Sequence, residues 1–280
     1  MSTSIDKHVG FIEDITVEDE REYNVIKSND LARTLRCNLT QAQFRLFCFM
    51  VSRVKPSYDA CELKDGLSGT FSMDDYCLVC GLAINRVTYQ RMKADLMKIY
   101  QESAFWIHRK GEDSLYSFIS NITIDHKSHL VHYTIAREML TFITNMDKRF
   151  SQYRLIEVLP MNSLYSVRLF ELLNSYAYEG EHYLELKLFS HLFVDSFEKD
   201  GLKPKRKSYE KFCNLHRRIL APAVEEINAY THLNVTYKLV TEGRQVSGIL
   251  FRIQEKPGHD IREIFQSSHA LLDKLCEPDG

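Results

Sequence analysis

No Gly-Lys dipeptide occurs anywhere in this 280-residue chain. That removes every Walker A phosphate loop, and with it an ATPase built on one. No G-x-S-x-G element is present either, so a nucleophile elbow is excluded. No apolar run approaches the roughly 20 residues a membrane-spanning helix needs, and the polar, acidic N-terminus is not expected to be a signal peptide. The seven cysteines (Cys37, Cys48, Cys61, Cys77, Cys80, Cys213, Cys276) are an odd number without framework spacing. Reduced thiols in a cytosol are expected, not a disulfide scaffold. A formal net charge of −2 argues against indiscriminate polyanion binding. What is present, 44% hydrophobic and 26% charged residues, is ordinary for a soluble globular chain long enough for two domains with their own cores.

Charge of one sign is nevertheless concentrated in one place. Between Lys199 and Arg218 stand eight Lys/Arg (Lys199, Lys203, Lys205, Arg206, Lys207, Lys211, Arg217, Arg218) against Asp200 and Glu210. From about Ser208, a plausible N-cap, an amphipathic helix is predicted. Phe212, Leu215, Ile219, Ala223 and Ile227 share one side; Lys207, Lys211, Asn214, Arg217 and Arg218 fall on the other. Pro222 means that this helix either kinks near Arg218 or restarts there with Pro222 in its first turn. After Asn228 the period drops to two, through Val235, Tyr237 and Leu239. The turn Glu242-Gly243-Arg244 and a second strand through Ile249, Phe251 and Ile253 follow. A charge run on a helix is usually only a solvated face. Followed by a hairpin with an arginine at its tip, it is what a winged helix-turn-helix needs: a helix for the major groove and a wing for neighbouring backbone or minor groove.

The same segment carries a resemblance. Tyr209, the pair Arg217-Arg218 before Ile219-Leu220, the run Ala221-Pro222-Ala223-Val224-Glu225-Glu226-Ile227-Asn228 and the turn Gly243-Arg244-Gln245-Val246 closely resemble the C-terminal winged helix of plasmid replication initiators of the iteron-binding Rep type. Several of these positions have no generic helical reason to occur together. The resemblance covers roughly residues 25–256 and is strongest in the second half.

Taken in order, residues 1–27 hold an excess of acids and read as a mostly flexible arm, with a short strand at Tyr23–Ile26. Ser28-Asn29-Asp30 caps a helix at Leu31–Arg36. Thr40 caps a second, Gln41–Val54, which buries Phe44, Phe47 and Val51 and stops at Pro56. Residues 57–70 read as loop. Ser72 opens a short helix to Cys80, Gly81 turns the chain, and a helix Ile84–Tyr100 follows. That helix is expected to turn Ile84, Val87, Met92 and Ile99 inward and Arg86, Tyr89, Gln90 and Lys93 outward. Strands at Ser103–His108 and Leu115–Ser120 flank a Gly111-Glu112 turn. Further strands near Ile122–Ile124 and Leu130–Tyr133, a helix Ile135–Thr144 and the link Asn145–Pro160 lead to a helix Leu164–Tyr176. Arg45-Leu46-Phe47 recurs as Arg168-Leu169-Phe170, Tyr89 as Tyr209 and Gly111 as Gly243, with the same element order around them. The expected fold class is therefore α+β, two winged-helix domains related as a pseudo-repeat. The arm (1–27) precedes a first domain (28–144) for dimerisation and auxiliary DNA contact. The main DNA reader (145–256) and a C-terminal tail (257–280) follow, the tail with an amphipathic helix around Ile261–Leu275.

Chemistry-bearing alternatives are weak. Cys77-x-x-Cys80 and Cys213-x-x-His216 have zinc-like spacing, but each lies within an amphipathic helix and they belong to different halves, so core cysteine is the default. His126, His129 and His132 are spaced by three, which turns alternate members to opposite faces of a strand, against a rolling-circle nickase. Scattered carboxylates define no acid–base pair, and neither enzyme activity, metal nor cofactor is expected.

What the resemblance implies is a sequence-specific double-stranded-DNA-binding protein, cytoplasmic in a bacterium and associated with a plasmid. As a monomer it would bind directly repeated origin sites and help open the origin. As a homodimer in exchange with the monomer it would repress its own promoter on an inverted repeat. Host replication proteins are expected partners and a membrane is not. Lys203, Lys205 and Lys207 would mostly hold phosphates, with Arg206 and Ser208 also DNA-binding, Lys211, Asn214 and Arg217 nearest the base edges, and Arg218 at backbone or base. Lys211 and Arg217 match the family's base-contacting pair in spacing, with Lys at 211 where Arg is more usual. Arg244 would serve the wing, and Arg86, Tyr89, Gln90 and Lys93 a weaker contact from the first domain. A double winged-helix regulator without a replication role shares every one of these residues, and a protein-interaction module would show little salt dependence of any DNA binding. Purified protein is expected to bind DNA undiminished in chelator and without nucleotide; one equivalent of tightly held zinc would overturn this.

Overall fold

The computed structural model describes residues 23–35, 39–54, 65–102, 105–109, 112–144, 150–198, 201–204 and 207–257. The arm before Tyr23, Gly111, Lys205, Arg206, Cys37, Cys61, Cys276 and the tail helix around Ile261–Leu275 lie outside the described residues. The chain runs β1 (Asn24–Ser28), α1 (Asn29–Thr34), α2 (Gln41–Ser52), β2 (Leu67–Ser72), α3 (Met73–Val79), α4 (Arg86–Glu102), β3 (Phe105–Arg109), β4 (Glu112–Tyr116), β5 (Ile119–Ile124), β6 (Leu130–Ile135) and α5 (Arg137–Ile143). It continues with β7 (Phe150–Arg154), a 3₁₀ turn (Leu155–Glu157), α6 (Leu164–Asn174), β8 (Glu181–Glu185), α7 (Leu186–Phe193), β9 (Asp195–Glu198) and β10 (Gly201–Pro204). A 3₁₀ turn (Lys207–Glu210), α8 (Phe212–Leu215), a π-helical turn (His216–Leu220), α9 (Ala221–Tyr230), β11 (Leu233–Glu242) and β12 (Gln245–Glu255) complete it.

Short polar side chains set the helix starts. Ser28, Thr40, Ser72 and Ser163 each accept from a backbone N–H of the first turn, and Thr40 and Gln43 form a reciprocal capping box. The expected inner face of α2 proves too narrow. Leu46, Cys48, Phe49 and Met50 are buried together with Phe44, Phe47 and Val51, because β1 and α4 both pack on this helix.

The two halves share one topology. Helix α2, strand β2, helices α3 and α4 and hairpin β5–β6 give a three-stranded sheet in the order β2-β6-β5. Helix α6, strand β8, helix α7, the helical stretch 212–230 and hairpin β11–β12 give β8-β12-β11. The Arg-Leu-Phe triplets fall on α2 and α6, the matching helices, with Leu46, Phe47, Leu169 and Phe170 all buried. Two expectations are corrected. Residues 67–70, read as loop, belong to β2, where Gly69 pairs with Tyr133. The hairpin matched to the wing at Gly243 is not the one next to Gly111. Among the described residues, strands β3 and β4 pair only with each other, while β5–β6, turning at residues 125–129, joins β2. A turn signal marks a hairpin locally; which hairpin enters the sheet is decided by its pairing with a distant strand.

The strand expected at Tyr23–Ile26 is β1, antiparallel to β7. It carries Lys27, only 1% exposed, into the interior. There Glu171 of α6 accepts from Lys27, from the Tyr153 hydroxyl at 2.6 Å and from Arg168 Nη1 at 2.7 Å. Arg168 Nη2 also donates to the carbonyls of Ala32 (3.2 Å) and Leu35 (2.8 Å). Lys27 Nζ lies 4.7 Å from the ring centres of both Phe44 and Phe47. Burial by itself raises the Glu171 pKa, but the Lys27 and Arg168 charges and the two hydrogen bonds outweigh it and hold the group below its ordinary value of 4.5.

Breaking this cluster is expected to be costly and unequal. Lys27→Ala should lose about 3 kcal/mol, the low end for a broken buried pair because Arg168 still faces Glu171; Glu171→Gln, which strands two cations, should lose about 5. A depressed carboxylate stabilises fully above the unfolded-state pKa and less as pH falls through the lowered folded value. Urea unfolding should therefore show the wild-type advantage over Glu171→Gln shrinking only in acid. An advantage that disappears near neutrality would contradict the assignment.

Candidate nucleic-acid interface

The second-half helix is built around one missing hydrogen bond. Pro222 has no N–H to give Arg218, and its ring would collide with that carbonyl in a regular α-helix. The chain neither breaks nor sharply restarts. It widens into the π-helical turn His216–Leu220, in which the Ala221 N–H reaches the carbonyl of His216, and α9 begins with Pro222 in its first turn. Leu215, Ile219, Ala223 and Ile227 are buried as expected, together with Leu220 and Val224, and Phe212 packs on the core from a half-buried position. Lys211, Arg217 and Arg218 are exposed. Ser208 does not cap the helix. Residue 211 occupies the N-cap position of α8, and the Asn214 side-chain amide donates to the Ser208 carbonyl at 2.8 Å. Lys203 lies on β10 and Lys207 in the 3₁₀ turn before the helix.

The residues after Pro222 tie this helix down. Asn228 donates to the Val235 carbonyl at 2.8 Å and accepts from the Val235 N–H at 2.6 Å, clamping α9 to the wing strand β11. Glu226 accepts from the Asn162 N–H at 3.0 Å, holding α9 to the segment before α6. His216, inside the π turn, meets the Tyr237 hydroxyl at 2.8 Å and so links the helix to the middle of β11. At the wing tip Gly243 has φ 63°, the left-handed conformation that the two-residue turn requires, and Arg244 beside it is exposed. Gly248, further along β12, lies under the Tyr183 ring, where a Cβ would stand 2.4 Å from ring atoms. Arg252, near the base of the hairpin opposite Thr236, is paired with Glu181.

The first half differs from expectation in phase. Its longer helix α4 starts at Arg86, after Asn85 accepts from the Thr88 N–H at 2.9 Å. Met92 and Ile99 are buried as expected, with Leu96, but Ile84 is 47% and Val87 55% exposed. The solvent stripe is Val87, Gln90, Arg91 and Ala94. Arg86 and Gln90 are exposed, whereas Tyr89 and Lys93 are half-buried, the Tyr89 hydroxyl bonded to Asp74 and Lys93 Nζ 3.0 Å from His126 Nδ1. The outward face is thus rotated by roughly 100° from the expected one, about one residue of helix. Arg91 was missed for that reason. A wheel centred on Met92, Leu96 and Ile99 turns Val87, Gln90 and Ala94 outward and brings Arg91 to the flank of that face.

The three histidines near the β5–β6 turn do separate things: His126 meets Lys93, His129 packs on Tyr89 with its ring centre 4.6 Å away, and His132 Nδ1 meets the Thr70 hydroxyl at 2.9 Å. Cys77 and Cys80 are buried, and burial pushes the Cys77 thiol up to about 12. Among the described residues no group of three or more His, Cys, Asp or Glu is arranged to hold a metal, and no helix is long and apolar enough to cross a membrane.

One helix–strand–helix–helix–hairpin unit used twice makes this a double winged-helix protein. Two family models match it: Initiator Replication protein, WH1, over residues 24–174, and Initiator Rep protein, WH2, over residues 199–253. The chain belongs to the initiator replication protein family and is a DNA-binding replication initiator. The fold is also that of the crystal structure of Pi initiator protein in complex with iteron DNA, with a TM-score of 0.69 at 17% identity over 85% of this chain and 99% of that one. Domains 2 and 3 of RctB align over 84% of this chain and 92% of that one at 11% identity, with a TM-score of 0.39.

The Asn228 clamp should be measurable without DNA. Asn228→Ala leaves both polar backbone groups of Val235 without this partner and is expected to cost about 1–3 kcal/mol in thermal or urea unfolding. Asn228→Asp, which keeps the acceptor and loses the donor, should fall between wild type and Ala. Equal stability of all three proteins would remove the clamp from the account of how the wing is held.

Proposed function

We propose that this chain initiates replication of a plasmid by binding directly repeated origin sites as a monomer, and represses its own promoter as a dimer on an inverted repeat. The observation that carries this is the exposed basic set Lys211, Arg217 and Arg218, on a helix whose opposite side is buried, followed by a wing ending in exposed Arg244. Cations on one face of a groove-sized helix suit the major groove, and a cationic hairpin tip suits the adjacent backbone. The Pi initiator's complex with iteron DNA supports the same use of this fold here. In this reading Lys203, Lys205, Arg206, Lys207 and Ser208 serve phosphates and Lys211 and Arg217 base edges. Arg218 takes either, and Asn214, its amide nitrogen held by the Ser208 carbonyl, offers its carbonyl oxygen Oδ1. Arg86 and Gln90 contribute from the first half, and Tyr89 and Lys93 shape its surface. The dimer forms through first-half surfaces that include β5, an edge strand of its sheet. Host replication proteins join at the opened origin, and no catalytic step is assigned to the chain.

One titration series over salt and sequence tests it. Arg217→Ala should cost roughly 1–3 kcal/mol on the selected site and blur discrimination at one base pair, while Lys205→Ala should weaken selected and random duplexes alike and flatten the salt slope by about one unit. Sedimentation should give one chain per direct repeat and two per inverted repeat. Strictly monomeric behaviour on and off an inverted repeat would defeat the dimer. Normal binding by both variants, with loss on Arg86→Ala, would reverse the roles of the two halves.

A further inference from the structure

The exposed apolar end of α4 has no task in the fold. Met92, Leu96 and Ile99 already fill the core side of this helix, yet Val87 in its first turn is 55% exposed and Ile84, just ahead of it, 47%. A helix that needed only solubility would carry polar residues there. The surroundings are cationic: residues 84–94 hold Arg86, Arg91 and Lys93 and no acid. Asp74, on the preceding helix, is engaged by the Tyr89 hydroxyl and faces His129 at 3.6 Å. Val87, Gln90, Arg91 and Ala94 recur at i, i+3, i+4 and i+7, so the apolar side chain shares one stripe with an amide and a guanidinium. In a winged helix-turn-helix, the first turns of the second helix are the part that meets base edges.

We propose that the first half reads A·T pairs in the major groove, with Val87, flanked by Ile84, packed on a thymine 5-methyl group and Gln90 facing the N6 and N7 edge of an adenine. This rests on the DNA-binding reading above and adds to it a specificity that the second half does not supply. The chemistry follows from the base edges. Thymine alone presents a methyl group in the major groove, an aliphatic side chain is its natural contact, and a Gln amide matches the paired donor and acceptor of adenine. The two halves then divide the work. Lys211 and Arg217 suit guanine and phosphate, and the α4 stripe suits A·T pairs.

The probe is a duplex recovered from a randomised pool by selection on the full-length protein. Each thymine is then replaced singly by deoxyuridine, which deletes only the methyl group. Wild type should lose about fourfold in affinity at one or two thymines, outside the segment whose recognition Arg217→Ala disturbs. In Val87→Ala that loss should vanish at the same thymine, with Tm unchanged, because the side chain is exposed and Ala favours helix. Gln90→Ala should relax the choice of adenine close to that thymine. A wild-type profile flat to deoxyuridine overturns the proposal, as does an unchanged profile in Val87→Ala. If Val87→Ala instead weakens self-association while leaving the profile intact, the apolar end belongs to a protein contact and the proposal fails. Salt-dependent binding with a flat profile sinks this inference alone, whereas no enriched duplex at all sinks the DNA-binding reading with it.

Discussion

The carboxylate of Glu171 is a buried ionic link between the two halves, beside Arg33 on Ser175 and Gln41 on the Met161 carbonyl. It is 1% exposed and takes hydrogen bonds from three elements: Lys27 of β1, Tyr153 of β7 and Arg168 of its own helix. Arg168 carries the connection on to the carbonyls that close α1. A charge in such a place is tolerable only because both cations and the phenol are present together. The consequence reaches the interface. Helix α9 packs on α6, and Glu226 ties it to Asn162, so the helix bearing Arg217 and Arg218 is oriented by a framework anchored in the first half.

On that framework the repeated unit has diverged at its surface and not in its plan. Both sheets have the same strand order, and in both halves the helical stretch before the hairpin follows a strand and a short helix. The inserted hairpins differ in place: β3–β4 follows α4, whereas β9–β10 precedes the helical stretch 212–230. The outward faces of these helices differ more. One is Lys and Arg around a π-helical turn; the other is a mixed stripe of Val, Gln, Arg and Ala. A fold specifies neither, since function resides in the side chains placed on it.

The run Pro222 to Asn228 shows how a motif becomes intelligible only in three dimensions. Pro222 forces the π turn that sets the phase of Arg217 and Arg218. Ala223, Val224 and Ile227 fill the core, Glu226 reaches the link before α6, and Asn228 clamps the wing strand. In sequence these are six unrelated residue choices. In the structure all of them hold one helix at one angle between the core and the hairpin.

By itself the sequence determined what depends on near neighbours. The N-caps at Ser28, Thr40 and Ser72, the buried face through Leu215, Ile219, Ala223 and Ile227, the wing with Gly243 at its tip and the basic face beside them all follow from short-range periodicity and local conformational preference. What only the tertiary structure decided depends on residues far apart in the chain. Lys27 reads as one more charge in a polar arm until Glu171, 144 positions away, makes its burial possible. Residues 67–70 read as loop until β6 offers a partner strand. Val87 reads as core because apolar residues usually seek the interior, and it is left outside because Met92, Leu96 and Ile99 already occupy the side of α4 that faces the core.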